Sequence, residues 1–322
     1  MTLVKMPDNT KRQTEFATES PQLQHSASLA HSRHASSATV VTLPDHQPPL
    51  HAKLRLRFAA VDKVTRLLER EHFGPLLVQK PLYPEGPEIC HTVIIHPPGG
   101  IVSGDQMEIN TRIGPEAKVQ ITTPGATKWY KSKGYTARQK VSIHIDSGGA
   151  LEWLPQETIF FNHADVDIDH EVNLQDNAIY VGCEILCFGR TASGETFNNG
   201  QIKQRTRIRR DDKLIWLEQI RLQGQNFAMK GPLSLAGNTV CATLIMTGGA
   251  ITPTRIDEVR EAIKTVELRN GHVGLSQMKS VVVARYLGHS SEAARHAMLQ
   301  VWSLLRPEFM GCAATTPRMW NT

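Results

Sequence analysis

Residues 165–174 read Asp-Val-Asp-Ile-Asp-His-Glu-Val-Asn-Leu, and their alternation decides the fold class. Val166, Ile168, Val172 and Leu174 fall on one face, while Asp165, Asp167, Asp169 and Glu171 fall on the other. A period of two residues is that of a half-buried β-strand. Strand-like runs surround it on both sides: LRLRFAA, PLLVQKPLY, HTVIIH, MEINTRI, AKVQITT and KVSIHI before it; AIYVGCEILCF, QIKQRTRIR, KLIWLEQIRL, TVCATLIMT and SVVVARYL after it. Most are bounded by Gly, Pro, Asn or Asp, the residues that punctuate strands. Helical period occurs twice, both times late. Ile256, Val259, Ile263 and Val266 form one stripe in 255–268, with Thr254 as cap and Asn270-Gly271 as stop. Ala294, Ala297, Met298, Val301, Trp302 and Leu305 form another in 291–306, ended by Arg306-Pro307. The expectation is a mainly β chain of many stacked strands, β-helix-like or sandwich-like, with two α-helices in its C-terminal half.

Residues 1–50 differ in kind. They are rich in Ser, Thr, Gln, His and Pro, lack apolar periodicity, and carry four Lys/Arg against four Asp/Glu. Such a segment buries too little apolar area to offset its ordering entropy, which predicts a flexible extension. Its histidines (His25, His31, His34, His46) are spaced as solvated residues rather than as a metal site. Residues 51–322 then form a single β-rich domain.

Composition narrows the function. The 322 residues hold 36 Lys+Arg and 31 Asp+Glu, a net charge of +5 that is mild for this length and does not suit a nucleic-acid binder. There is no run of 18 apolar residues to cross a membrane, and the N-terminus lacks a signal-peptide core, so a cytoplasmic protein is expected. Five scattered cysteines make no disulfide framework. No G-x-x-x-x-G-K-[ST] and no G-x-S-x-G occurs, and the glycines of HPPGGIVSGD read as turns. Cys90 and His91 are strand neighbours that point to opposite faces, which argues against a nucleophile–base pair. Cys183 and Cys187 would lie about 13 Å apart on a strand, too far to share an ion. They read as core residues on one face with Val181 and Ile185. His170 reads as a hydrogen-bonded core histidine. Lys203, Arg205, Arg207 and Arg209 form a basic ladder that can pair with the acidic one across strands.

Three carboxylates call for more. Glu184 sits in a run that is apolar on both faces, Glu157 shares a face with Ile159 and Phe161, and Asp105 follows the Gly-rich turn GGIVSGD. A buried carboxylate is costly unless it is paired, hydrogen-bonded or bound to a cation. One account is structural ion pairing, for instance Glu184 with Arg190. The other is an interior polar path for a divalent cation.

Around these residues the chain resembles a known family, that of the urease accessory protein UreD (also called UreH). The motifs are His96-Pro-Pro-Gly-Gly100 through Gly104-Asp105, Thr123-Pro-Gly-Ala-Thr-Lys128 with Trp129-Tyr130, and Leu151-Glu-Trp-Leu-Pro-Gln-Glu157. Glu184 leads on to Gly189-Arg190, Ala192 and Gly194-Glu195, and Arg306-Pro307, Gly311 and Pro317-Arg-Met-Trp320 with Thr322 complete the set. The resemblance runs from about residue 51 to 322. It implies a non-catalytic metallochaperone scaffold that docks on apo-urease with UreF and, through UreF, with the GTPase UreG. It implies no tightly bound cofactor but transient Ni(II) along an internal path, for which Asp105, Glu157 and Glu184 are the candidate residues. Nickel(II) accepts carboxylate, imidazole and water, so weak carboxylate sites suit its passage. The competing reading is a β-rich hydrolase or lyase that uses paired carboxylates as acid and base.

Overall fold

The computed structural model describes residues 49–321, other than Gln225 and Asn226. The N-terminal extension expected over residues 1–50 lies almost entirely outside the described residues. Pro48–Thr322 forms one compact unit. Its strands are β1 (His51–Val61), β2 (Val64–Phe73), β3 (Leu77–Val78), β4 (Ile89–Ile95), β5 (Gln106–Ile113), β6 (Lys118–Thr122), β7 (Thr127–Trp129), β8 (Ala137–Ile145) and β9 (Ala150–Leu154). They continue as β10 (Thr158–Phe160), β11 (Asp165–Leu174), β12 (Ile179–Phe188), β13 (Gln201–Arg210), β14 (Lys213–Gln223), β15 (Val240–Thr247), β16 (His272–Met278) and β17 (Val281–Gly288). The helices are α1 (Phe227–Lys230), α2 (Pro253–Ile263) and α3 (Ser291–Met310).

Two sheets face each other. The first has seven strands in the order β14-β13-β11-β8-β5-β1-β2; the second has ten, with the main path β16-β17-β15-β12-β9-β6-β4-β3. Inner strands of the first sheet, β1-β5-β8-β11-β13, pair in parallel, and so do β4-β6-β9-β12 of the second. Successive coils therefore add one strand to each sheet, as in a β-solenoid, and antiparallel strands finish the edges. The expected mainly β fold with two C-terminal-half helices is what forms.

The burial alternation read from 165–174 holds residue by residue in β11. Its apolar face joins a core between the sheets that includes Phe58, Ile109, Ile143, Val172 and Phe188. Its acidic face pairs with β13 as expected: Arg205 and Arg207 reach Asp169 at 3.2 and 2.9 Å, and Arg207 reaches Glu171 at 3.4 Å. A second apolar core lies on the other side of the ten-stranded sheet, where Val259, Ala294, Val301, Trp302 and Leu305 of the helices cover it. Val181, Cys183, Ile185 and Cys187 share that outer face of β12, which bears out the core reading of the two thiols.

Several element boundaries differ from the sequence reading. β2 went unread because its charges hide the period, yet Asp62 and Lys63 both take positive φ (51° and 62°), the two-residue hairpin turn that fixes it. Also unread were the short β7, β9 within the tryptophan motif, and the edge strand β16, whereas the face shared by Glu157, Ile159 and Phe161 falls on the short β10 and its flanks. Only Leu77–Val78 of PLLVQKPLY forms a strand. α2 is capped by Thr252, whose hydroxyl accepts from the Arg255 N–H, and Pro253 opens it; it ends at Ile263. α3 runs through Pro307 for one further turn. That turn buries Phe309 and Met310, and Gly311 closes it in the left-handed region at φ 73°.

Candidate functional site

The parity of the strands builds the site. On β12, Tyr180, Gly182 and Glu184 point into the space between the sheets, opposite to the cysteine face. Register puts Glu184 beside Thr243 of β15, and Thr243 beside Arg285 of β17. On the facing sheet His170 of β11 lies beside Thr206 of β13, which lies beside Glu218 of β14. Two rows of polar residues thus meet across an interior that is otherwise apolar.

Three contacts bridge the sheets there. The Gln204 amide Nε2 donates to Glu184 Oε2. Arg285 pairs with Glu218 at 2.9 Å. The Tyr180 hydroxyl and His170 Nε2 are 3.1 Å apart, which makes His170 the hydrogen-bonded core residue its position suggested. Burial pushes the His170 imidazole down to about 4, so it is neutral near pH 7. Burial, with the negative charge of Glu218 nearby, pushes the Glu184 carboxyl up to about 7, against the Gln204 hydrogen bond that lowers it. Burial raises Glu218 as well, with Arg285 opposing.

Of these, His170, Tyr180, Glu184, Thr206, Glu218 and Thr243 line a cavity of about 360 Å³ between the sheets. Its walls are mostly apolar, among them Leu76, Ile94, Met107, Ile109, Val141 and Ile245. Gly99, Pro124, Gly125 and Lys128, which also line it, are exposed, and they mark its mouth. His96 lines the cavity as well, and its Nε2 is buried with no hydrogen-bond partner among the described residues. Burial holds its imidazole below the ordinary histidine value, with Asp105 pulling the other way. Gly100 is required at this mouth by close approach: a Cβ there would stand 2.1 Å from the Tyr130 ring.

Of the three sequence candidates, only Glu184 reaches the cavity. Its partner is Gln204; Arg190, the partner offered for it on sequence grounds, pairs with Glu195 at 2.8 Å and stacks over Phe161. Asp105 is 3% exposed and ties down a turn, accepting the N–H of Leu50 at 2.8 Å and of Val102 at 2.9 Å. Glu157 lies on the helix side of the ten-stranded sheet, where Arg295 of α3 pairs with it. The structure therefore does not bring the three carboxylates together. Among the described residues no group of three or more His, Cys, Asp and Glu is arranged to hold a metal ion.

Sequence reasoning missed Glu218 and His96. The signal for Glu218 was present: it is the lone acid among Leu214, Trp216, Ile220 and Leu222 on one parity of β14, the same anomaly that singled out Glu184. It also missed Glu152, which sits in the tryptophan motif and is fully buried. Glu152 accepts from Arg306 Nε and Nη2 at 2.9 Å each, from Trp302 Nε1 at 2.7 Å and from Gln120 Nε2 at 3.1 Å. Arg306 also bonds Glu85, which meets His91 Nε2 at 2.6 Å. Hydrogen bonds and charge from His91 and Arg306 hold the Glu85 carboxyl at about 2, against the opposing effect of burial. This network seats α3 on the sheet.

The sequence model described as UreD urease accessory protein matches residues 50–321. The chain belongs to that family. It is 57% identical over 274 residues to the urease accessory protein UreD of Nitrosospira multiformis, covering 85% of this chain and 98% of that one. Against the UreD of a Janthinobacterium strain it is 55% identical, over 84% of this chain and 91% of the other. Against that of Dechloromonas aromatica it is 42% identical, over 89% and 100%. As a UreD-family member the chain has a role in urease maturation. Among the described residues no helix is long and apolar enough to cross a membrane.

Proposed function

We propose that this UreD-family protein is a non-catalytic scaffold for nickel delivery. It docks on apo-urease together with UreF and, through UreF, with the GTPase UreG, in the cytoplasm. Nickel enters it only in transit. The observation that supports this reading is the inter-sheet cavity, lined by Glu184 and Glu218 and, at its exposed mouth, by Gly99, Pro124 and Lys128. Two carboxylates in an apolar interior repel each other, and a divalent cation relieves that repulsion. An apolar wall binds an ion nowhere tightly, so a hydrated ion can move between a few polar stations. Binding that admits the ion but does not hold it is the requirement for conduction. His96 at the mouth supplies imidazole and Glu184 with Glu218 supply carboxylate, a donor set that suits nickel(II).

Asp105 and Glu157 stay outside this path in the proposal, since each already satisfies a structural partner. Membership of an accessory-protein family supports this reading over a hydrolase or lyase.

The experiment is urease activation in cells in which Glu184→Gln, Glu218→Gln or both replace the native residues. Pull-down with UreF and apo-urease should be unchanged, while the nickel content of urease falls at least severalfold in the double variant. Full nickel loading by a double variant that folds and assembles would remove the two carboxylates from the path.

A further inference from the structure

Between Glu116 and Asp146 the chain carries six Lys and Arg and no acid. The fold gathers three of these cations, Lys128, Lys131 and Lys133, on the edge where turns lead into β5 and β8, and all three are exposed. Two turns build that edge. The Ile101 N–H donates to the Lys128 carbonyl at 2.8 Å and the Tyr130 N–H to the Ile101 carbonyl at 2.9 Å, so the turn after Gly99 lies against β7. Ser103 and Ser132 then stitch the turns together. Their hydroxyls lie 3.2 Å apart, both reach the Tyr135 carbonyl, and the Tyr135 N–H donates to the Ser103 hydroxyl at 3.1 Å. The edge is therefore held in place before anything binds to it. It also shows two apolar side chains, Val102 at 49% and Tyr135 at 61% exposed. Lys128 in addition lines the cavity mouth.

The acids nearby are already engaged. Asp105 accepts the N–H of Leu50 and of Val102 inside its turn, and Asp165 accepts the Thr136 hydroxyl at 3.1 Å. Glu195 pairs with Arg190, and Glu157 pairs with Arg295 on α3. Among the described residues Lys128 and Lys131 have no ion-pair partner. Cations gathered without counter-charge, beside exposed apolar area, suit an occupant that brings both carboxylates and an apolar side chain. A nucleic-acid strand suits the edge less, because such strands lie along a longer basic groove with several stacking platforms, whereas this edge presents Tyr135 and Val102. We propose that this edge docks an acidic segment of a partner protein, with carboxylates on Lys128 and Lys131 and an apolar side chain against Val102 and Tyr135. Exposed ion pairs are individually weak and screened by salt. The lysines therefore set the approach and its salt dependence, while the apolar contact sets the affinity that survives at high salt. The docking does not depend on what passes through the cavity. If the cargo is a cation, as in the reading above, the docked segment also neutralises ammonium groups that repel it at the mouth.

The test uses the full chain and a fluorescent peptide of about twelve residues, mostly Glu with two Leu, followed by anisotropy. We expect micromolar binding at low salt that weakens about tenfold between about 50 and about 300 mM NaCl. Lys128→Glu with Lys131→Glu should weaken it by about tenfold or more at low salt. The same change in net charge placed elsewhere on exposed positions, Lys264→Glu with Lys279→Glu, should alter it by less than about twofold. Tyr135→Ser should weaken binding about threefold and leave its salt dependence as it was, which general attraction between opposite charges does not predict. Thermal melts check that each variant folds. Should the charge-reversed pair fail to fold, Lys128→Gln with Lys131→Gln provides the second measurement, with a loss of about threefold expected. No binding at low salt, or an equal loss in the control pair, overturns the docking edge. A single-stranded oligonucleotide that binds more tightly than the peptide, and loses that affinity in the charge-reversed pair, makes the edge a nucleic-acid surface and overturns it too. A dimer of the full chain that the charge-reversed pair dissociates makes the occupant a second copy, which is equally fatal to the proposal.

Discussion

Arg306 illustrates what a single side chain can hold together. It is fully buried, and it satisfies Glu152 and Glu85 at once while its N–H groups also reach the Ala313 carbonyl. Removing one partner of a buried ion pair strands the other charge, at a cost of about 3–5 kcal/mol. Arg306→Met should therefore destabilise by about that amount in chemical denaturation, and adding Glu152→Gln should recover part of it. Two cavity residues contribute opposite pH dependences. The folded His170 titrates near 4 rather than 6.5, so the native state binds fewer protons in that window and stability is lost as pH falls through it. Glu184 acts the opposite way: the native state binds more protons between 4.5 and about 7, so stability declines as pH rises across that range. Between pH 5 and 7.5 the two effects oppose each other, and Glu184→Gln removes the one that declines with pH, so the melting temperature should change more favourably from pH 5 to 7.5 in that variant than in the native protein. An identical change in the variant and the native protein would assign the effect to another group.

At the scale of elements, burial overrides local grammar. Proline inside a helix removes a hydrogen bond and costs about 3 kcal/mol, which is why Arg306-Pro307 reads as a stop. α3 continues because its last turn places Phe309 and Met310, 5% and 2% exposed, against the outer core. Its end is then fixed by backbone conformation. Gly311 sits at φ 73° with nothing within 4 Å of an added Cβ, so space is no obstacle and only left-handed strain is. Gly311→Ala should cost about 1–2 kcal/mol, read from the denaturation midpoint. A change near zero would mean that the turn relaxes out of the left-handed region. The strands tell a parallel story. Alternation gave β11 and β13 plainly because one face of each meets solvent. β9 has no such contrast, since all five of its residues are buried, two of them (Glu152 and Trp153) with polar atoms.

For the molecule as a whole, the two stacked sheets, with α2 and α3 on one outer face, form one compact unit over Pro48–Thr322. Leu50 is already part of that body, since its N–H donates to Asp105 and its carbonyl accepts from Gln106. A chain lacking residues 2–45 should therefore unfold cooperatively at the native midpoint and still bind UreF; loss of either would put the extension inside the working unit. The period of two along most strands, the two helical stripes and the isolation of Glu184 among apolar neighbours are all local properties. Neighbour chemistry along the chain is enough to specify them, and they gave a β-rich stack and one true cavity residue. The cavity itself could not be read that way. It arises where parities of strands far apart in sequence face each other, so that Glu218 of β14 comes opposite Glu184 of β12. The same reason separates Asp105 and Glu157 from the cavity. Each looked like a buried, unpaired acid in one dimension, and each gains its partner from a distant segment: the Leu50 N–H for Asp105, and Arg295 on α3 for Glu157. A lone charge in a sequence is a question about burial, and only the packing of remote elements supplies the counter-charge, the hydrogen bond or the empty space that answers it.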